Sequence, residues 1–108
     1  MNYLYFMPID EKFLDHYTLM CKAVSKPDRL RIINLLDNKK FNVGRIQKEL
    51  NISLSSLSNH LNDMYKMGVL GKEKDGKSVY YYLINPELVD GISNMQKIIK
   101  VMFTDRTK

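Results

Sequence analysis

The chain has 108 residues, which is the size of a single domain with one hydrophobic core and leaves little room for a separate substrate domain. Hydrophobic residues make up 44% of the chain and charged residues 27%, as in an ordinary globular protein. Its single cysteine, Cys21, excludes an intrachain disulfide and a zinc site built from several cysteines. The net charge of +5 favours a polyanionic partner, nucleic acid first and an anionic membrane surface second.

The apolar segments indicate neither a membrane span nor an export signal. Residues 1–8 are apolar but lack a basic region and a small-residue cleavage site, so we do not expect a secretory signal there. No apolar run approaches the ~20 residues that cross a bilayer. We therefore expect a cytoplasmic protein that does not bind membranes.

Three helices are predicted in the first half of the chain. Residues 10–24 place four apolar side chains on one helix face: Phe13, Tyr17, Met20 and Val24. Pro27 suits the first turn of a second helix, which continues to a turn at residues 38–40. Its wide apolar face consists of Leu30, Ile32, Ile33, Leu35 and Leu36. Residues 43–50 carry the apolar spacing of a third, short helix that closes near Asn51.

The next predicted helix, residues 54–67, has two distinct faces. Ser53 is a favoured N-cap and Gly68 a favoured C-cap. The apolar side comprises Leu54, Leu57, Leu61, Met64 and Tyr65. The opposite side is polar and comprises Ser55, Asn59, Asn62 and Lys66, with Ser58 at its edge. Short polar side chains let a helix lie deep in the major groove, where Asn can bond an adenine edge. The alternative is the solvated polar face that any surface helix has.

Residues 69–74 and 78–84 predict a β-hairpin. Asp75-Gly76 between them predicts a type I′ turn with positive φ at both central positions. The lysines near the tip can contact phosphate or a minor groove: Lys72, Lys74 and Lys77. Alternatively, they protect an exposed strand edge from aggregation. Alternation assigns Tyr81 to the core, while Tyr80 and Tyr82 are expected to pack against a helix.

Pro86 begins a last helix with a regular apolar stripe made of Leu88, Ile92, Met95, Ile99 and Met102. The order helix, helix, helix–turn–helix, hairpin, helix predicts a mainly α (α+β) winged helix-turn-helix with a two-stranded wing. We expect one domain over residues 1–108. Within it, residues 43–68 form the helix-turn-helix and residues 69–84 the wing, and the terminal segments 1–25 and 86–108 carry apolar stripes that nothing in the protomer employs.

Three segments together resemble the ArsR/SmtB repressors. They are residues 23–36 (AVSKPDRLRIINLL), residues 52–61 (ISLSSLSNHL), and residues 68–70 with 75–83 (GVL and DGKSVYYYL). The resemblance covers residues 20–86 and implies a homodimeric bacterial transcriptional repressor that binds double-stranded DNA. It also implies that the first and last helices form the dimer interface, which would bury both apolar stripes.

The resemblance further assigns DNA-facing positions, namely Ser55, Ser56, Ser58 and His60. Leu54 stands where the family often has Gln, and can either touch a thymine methyl group or join the core. Asn59 replaces a frequent Arg, so one phosphate or guanine contact differs. Lys77 replaces the wing Arg and keeps its charge without the planar fork.

Family members commonly sense metals, but the residues for this differ here. Asn42 and Gly44 occupy the two thiolate positions of one family site, and the last helix has Asp90 but no His for the other. An adjacent pair, Asp15-His16, is too small a ligand set to predict a metal site. We expect no metal and no cofactor. We expect Cys21 to pack as a small apolar residue, the alternative being a disulfide to the Cys21 of a second copy in a dimer. The effector is unassigned.

Charge and motifs leave one main hypothesis and one alternative. Residues 26–50 carry seven basic and three acidic side chains, so this region is expected to position the protein on the phosphate backbone. The alternative is a winged-helix module that binds proteins, since Glu73 and Asp75 offset the wing lysines. No Ser-His-Asp set, phosphate-binding glycine loop or paired-carboxylate cleft is indicated, so an enzyme is not expected.

Overall fold

The computed structural model describes residues 9–106, and residues 1–8 of the predicted N-terminal segment lie outside the described part. A short 3-10 helix, Glu11–Phe13, leads into the first α-helix. The elements in chain order are α1 (Leu14–Ala23), α2 (Pro27–Leu35), β1 (Phe41–Asn42), α3 (Val43–Leu50), α4 (Leu54–Lys66), β2 (Leu70–Asp75), β3 (Ser78–Leu83) and α5 (Glu87–Arg106). This order confirms the predicted winged helix-turn-helix.

Local capping signals determine where the helices begin and end. Pro27 occupies the first turn of α2, after the extended backbone of Lys26. Asn51 closes α3 in the left-handed region, with φ of 53°. Gly68 follows α4 with φ of 82°, and its N–H donates to the carbonyl oxygen of Tyr65. The helix α2 ends at Leu35, short of the predicted turn, where Asn38 takes a φ of 55°.

The sheet has a third strand that the sequence did not predict. β1 pairs antiparallel with β3, with Phe41 opposite Tyr81 and Asn42 opposite Tyr80, so β3 is the central strand. Two residues are too few to show an alternating pattern. The strand therefore becomes visible only when its partner is in place.

The predicted turn of the hairpin is wrong by one residue. Asp75 pairs with Ser78, so the two-residue loop is Gly76-Lys77. Of the described non-glycine residues, only Asn38 and Asn51 have positive φ, whereas Gly76 has a φ of 63°. Positive φ at the first loop position alone is the pattern of a type II′ turn, in which Gly takes that position. Gly76 takes a turn position with positive φ, as expected, whereas Asp75 belongs to strand β2.

The core joins α2, α3, α4 and the sheet. Its buried hydrophobic residues are Ala23, Ile32, Ile33, Leu36, Ile46, Ile52, Leu57, Leu61, Met64, Val69, Leu70 and Leu83, and half-buried Tyr81 packs against them as predicted. Three residues predicted on apolar faces are exposed instead: Leu30, Leu54 and Tyr65. Tyr82 covers Gly71 of β2 rather than a helix, since a Cβ at Gly71 would lie 2.4 Å from the Tyr82 ring.

We expect Gly68→Ala to lower the free energy of unfolding by about 1 kcal/mol, because an L-residue is strained at positive φ. Space is not the cause, since a Cβ at Gly68 would meet nothing within 4 Å. The control is Gly44→Ala in α3, where the Cβ would make an ordinary 3.7 Å contact and Ala favours the helix. Urea unfolding of both variants measures the difference, and equal stability of the two would contradict the assigned backbone conformation.

Candidate nucleic-acid interface

The helix α4 begins at a side-chain cap. The Oγ of Ser53 accepts a hydrogen bond of 3.3 Å from the backbone N–H of Ser56, as the sequence predicts. Behind it, the buried face holds Leu57, Leu61 and Met64 against the core. Because this face is anchored, the opposite side of the helix is presented to solvent in a defined orientation.

The outward side of α4 is polar and exposed. Its exposed members are Ser55, Ser58, Asn59, Asn62 and Lys66, all predicted DNA contacts. Leu54, at the start of the helix, is 54% exposed, so it does not join the core. Ser56 is half-buried beside the cap, and its contact with DNA stays a prediction.

His60 has a hydrogen-bond partner within the protein, and its contact with DNA stays a prediction. The resemblance places it on the DNA side, but it lies on the flank of α4 toward α2 and is half-buried. There its Nδ1 accepts a hydrogen bond of 3.1 Å from the Nε of Arg29. This ring nitrogen is therefore not available to a base or a phosphate.

The two faces of the wing carry opposite charges. Directly paired residues of an antiparallel sheet point to the same side, and Lys72 pairs with Tyr81 while Lys74 pairs with Val79. These lysines thus share the face of the sheet that bears the core. Glu73 and Asp75 point to the other face.

Two further contacts involve charged residues on the two faces of the wing. The Nζ of Lys72 lies 4.3 Å from the centroid of the Tyr65 ring of α4, a cation–π contact that joins wing and helix. On the acidic face, Glu73 accepts a hydrogen bond of 3.2 Å from the Nζ of Lys40. Lys77 is exposed at the tip. The helix α4 and the lysine-bearing face of the wing therefore adjoin at the contact of Lys72 with Tyr65.

The basic excess of residues 26–50 is largely used within the protein. Four of its seven basic residues form ion pairs: Arg29 with Asp63, Arg31 with Asp28, Lys40 with Glu73 and Arg45 with Glu49. Arg29 is also 3% exposed, so it cannot reach a phosphate. No ion pair is found for Lys26, Lys39 and Lys48 in the described part of the chain, and the placement of the protein on the phosphate backbone by this region stays a prediction.

Arg29 is a functional candidate that the sequence reasoning missed. Besides its bond to His60, it donates at 2.9 Å to Oδ2 of Asp63 and at 3.3 Å to the carbonyl oxygen of Lys22. A signal for its burial exists in the sequence, because Arg29 precedes Ile32 and Ile33 by three and four residues and so shares their buried face.

The surroundings of His60 favour its neutral form. Burial lowers the pKa of His60 below its ordinary 6.5, followed by the positive charge of Arg29, which acts in the same direction. Lys26 also lowers this pKa, whereas the carboxylates of Asp28 and Asp63 raise it. The net shift is downward, which agrees with a ring that accepts a hydrogen bond at Nδ1.

A large apolar surface lies away from α4. The exposed side chains in the predicted dimer interface are Phe13, Tyr17, Met20, Met95, Ile99 and Met102. The other three, Val24, Leu88 and Ile92, are half-buried against the protomer's own core. A groove of about 350 Å³ separates the two helices and is lined by Met20 of α1 and by Leu88 and Gly91 of α5.

The remaining sensor candidates can be placed as well. Cys21, expected to pack, is exposed in the protomer. Among residues 9–106, no three His, Cys, Asp or Glu side chains come together as a metal-binding group, and the absence of metal sensing stays a prediction. No helix in the described part of the chain is long and apolar enough to cross a membrane.

The element order and the exposed polar face of α4 define a winged helix-turn-helix protein of the DNA-binding type. The family model of the bacterial regulatory proteins of the arsR family matches residues 26–72. The transcriptional repressor SdpR of Bacillus subtilis (strain 168) is 36% identical over 78 residues, which are 72% of this chain and 87% of SdpR. The chain therefore belongs to the ArsR family.

Solved structures agree with this assignment. The transcriptional repressor PagR of Bacillus anthracis is 32% identical, with a TM-score of 0.68 over 81% of this chain and 99% of PagR. The homodimeric winged helix-turn-helix DNA-binding domain of Mb0332 from Mycobacterium bovis has the same fold, with a TM-score of 0.74 at 19% identity over 91% of this chain and 94% of that domain. The protein is a DNA-binding transcriptional regulator, a class that is not enzymatic, and a protein-binding module is not favoured.

We expect Ser53→Ala to lower the free energy of unfolding by about 1 kcal/mol, because the capping bond to the Ser56 N–H is lost. Ser55→Ala changes an exposed serine two residues away and should shift stability by less than about 0.5 kcal/mol. Chemical unfolding of the two variants tests the cap. A stability loss at Ser55 as large as that at Ser53 would contradict it.

Proposed function

We propose that this protein is a homodimeric repressor in the bacterial cytoplasm that reads a pseudo-palindromic operator through α4. The observation that carries the proposal is the surface formed by the outward side of α4 and the lysine-bearing face of the wing. Ser58 and Asn59 are suited to base edges in the major groove. Lys66, Lys74 and Lys77 are suited to the phosphates beside it.

The separation of charge on the wing supports DNA as the partner. In the sequence, the acids Glu73 and Asp75 between the wing lysines are the feature that would suit a protein-binding module. The pleat places Glu73 and Asp75 on the other face, where Lys40 pairs with Glu73. The face toward α4 thus presents positive charge to a polyanion.

Self-association is supported by the exposed apolar stripes. Met95 is 57% exposed and Met102 is 55% exposed. A contiguous patch of large apolar side chains in water is unfavourable for a monomer and marks an interaction site. The twenty-residue helix α5 spans about 30 Å, long enough to line a dimer interface with α1. A two-fold dimer would place two α4 helices in successive major grooves, ~34 Å apart.

To test the reading surface, Ser58 and Asn59 are changed together to Ala. The ratio of operator affinity to random-DNA affinity should fall by tenfold or more, since each lost base contact costs about 1–3 kcal/mol. Operator fragments are first selected from genomic DNA with the wild-type protein and then measured by fluorescence anisotropy. The matched control is Ser93→Ala with Asn94→Ala, the same dipeptide on α5, which should leave the ratio unchanged. Unaltered discrimination by the Ser58/Asn59 variant would refute the assignment.

To test the dimer, Ile99→Glu places a charge in the exposed stripe of α5. Sedimentation should show a monomer, and operator affinity should drop by about a hundredfold because the second half-site contact is no longer linked to the first. Lys97→Glu changes the charge on the opposite side of the same helix and should remain dimeric. An Ile99→Glu protein that stays dimeric would show that this stripe is not the interface.

A further inference from the structure

A buried network links the recognition helix α4 to the end of α1. Its centre is the guanidinium of Arg29, the one charged side chain that is buried among residues 9–104. Each of its three nitrogens donates a hydrogen bond to a different residue: Nε to His60, Nη1 to Lys22 and Nη2 to Asp63. Lys22 lies in the last turn of α1, whereas the other two lie on α4.

Only one of these three acceptors can be switched off by a proton near neutral pH. The carbonyl oxygen of Lys22 does not titrate, and the side chain of a free aspartate has a pKa of only about 4. The Nδ1 of His60 can accept from Arg29 only while it carries no proton, so the neutral ring holds its proton on Nε2. Protonation of Nδ1 would remove the acceptor and set two cations against each other at 3.1 Å.

Four charged residues surround His60 and act on the protonation of its ring. Arg29 and Asp28 face it from α2, Lys26 faces it from the cap of that helix, and Asp63 lies on its own helix. Burial and the adjacent guanidinium together favour the neutral ring over the imidazolium. The hydrogen-bond network is therefore favoured while the His60 ring is neutral and disfavoured when that ring is protonated.

The geometry points to Arg29 as a positioning residue that holds α4 against α1 and α2, and to His60 as its proton-sensitive partner, so that acidification weakens operator binding. The inference rests on the proposed function, because its readout is DNA. Asn59 directly precedes His60, and Asn62 directly precedes Asp63. A displacement of His60 and Asp63 relative to Arg29 would therefore displace the reading surface itself.

Operator affinity is measured from pH 7.5 to pH 5.5 at constant ionic strength. We expect the wild-type affinity to fall over this range by less than about tenfold, since a proton must be released from a ring whose pKa lies below 6.5 before productive binding. His60→Gln keeps an acceptor oxygen but does not titrate, so its profile should be flat. His16→Gln removes the only other histidine and should retain the wild-type profile.

The opposite outcome is equally informative. If His60 contacted a phosphate, as the family resemblance implies, acidification would strengthen wild-type binding and His60→Gln would lose that gain. A flat wild-type profile would also overturn the inference. Sedimentation at both pH values separates loss of the dimer from loss of DNA affinity.

A second measurement does not depend on DNA. The His60 ring is titrated by proton NMR in the free protein, where its pKa should lie below 6.5 and move upward in Arg29→Met, a variant without the guanidinium. Protonation should shift the backbone amide signals of α4 and of Lys22. If no operator is found, the proposed function fails, whereas this titration still tests whether protonation of His60 disrupts the hydrogen-bond network of Arg29. An ordinary His60 pKa with unshifted α4 signals would refute it.

Stability provides the check on folding. The folded-state pKa of His60 lies below the unfolded value, so the neutral ring contributes stability above pH 6.5, which is lost as the pH falls through the folded-state pKa. His60→Gln should lack this component of the unfolding curve. Arg29→Lys keeps the charge without the fork of donors, and partial recovery of affinity relative to Arg29→Met would show that the hydrogen bonds matter as well as the charge.

Discussion

The burial of one guanidinium constrains how the helices of this protein meet. A guanidinium keeps its charge in proteins, and one that is only 3% exposed, as in Arg29, must be surrounded by acceptors or it destabilises the fold. Its acceptors come from the end of α1 and from two successive turns of α4. The relative placement of these helices is therefore set by polar geometry as well as by the apolar contacts of Leu57, Leu61 and Met64. Apolar packing tolerates small slips, whereas three directional hydrogen bonds donated by one planar group do not.

The pleat of the wing separates charges that look balanced along the chain. Lys72, Glu73, Lys74 and Asp75 alternate in sequence, and a strand turns alternation into two opposed faces. The lysines stand beside α4, where Lys72 lies over the ring of Tyr65, and the acids stand away from it. A nearly neutral stretch of sequence thus contributes a positive surface on the side where the polar face of α4 lies.

The terminal helices expose apolar side chains that the protomer itself does not cover. The first turns of α5 pack on the core through Leu88 and Ile92, but beyond them the apolar stripe continues into solvent. The exposed side of α1 lies beside it across the groove lined by Met20. A stripe that begins in the core and continues outward is the arrangement that a second copy can cover, and it underlies the proposed dimer.

The sequence by itself determined the order of the five α-helices and the hairpin, the cap at Ser53, the helix ends at Asn51 and Gly68, and the outward polar face of α4. These features depend on neighbours within a few residues, so composition and spacing are sufficient to predict them. Family membership was likewise recognisable from three short motifs. Tertiary structure decided the pairing of β1, the one-residue shift of the hairpin turn, the exposure of Leu54 and Tyr65, and the partners of Arg29. Each of these depends on a group distant in sequence: His60 lies 31 residues from Arg29, and Asp63 lies 34 residues from it. A hydrogen-bond partner has no periodicity of its own, and therefore His60 could be assigned to DNA from its motif and to Arg29 only from the fold.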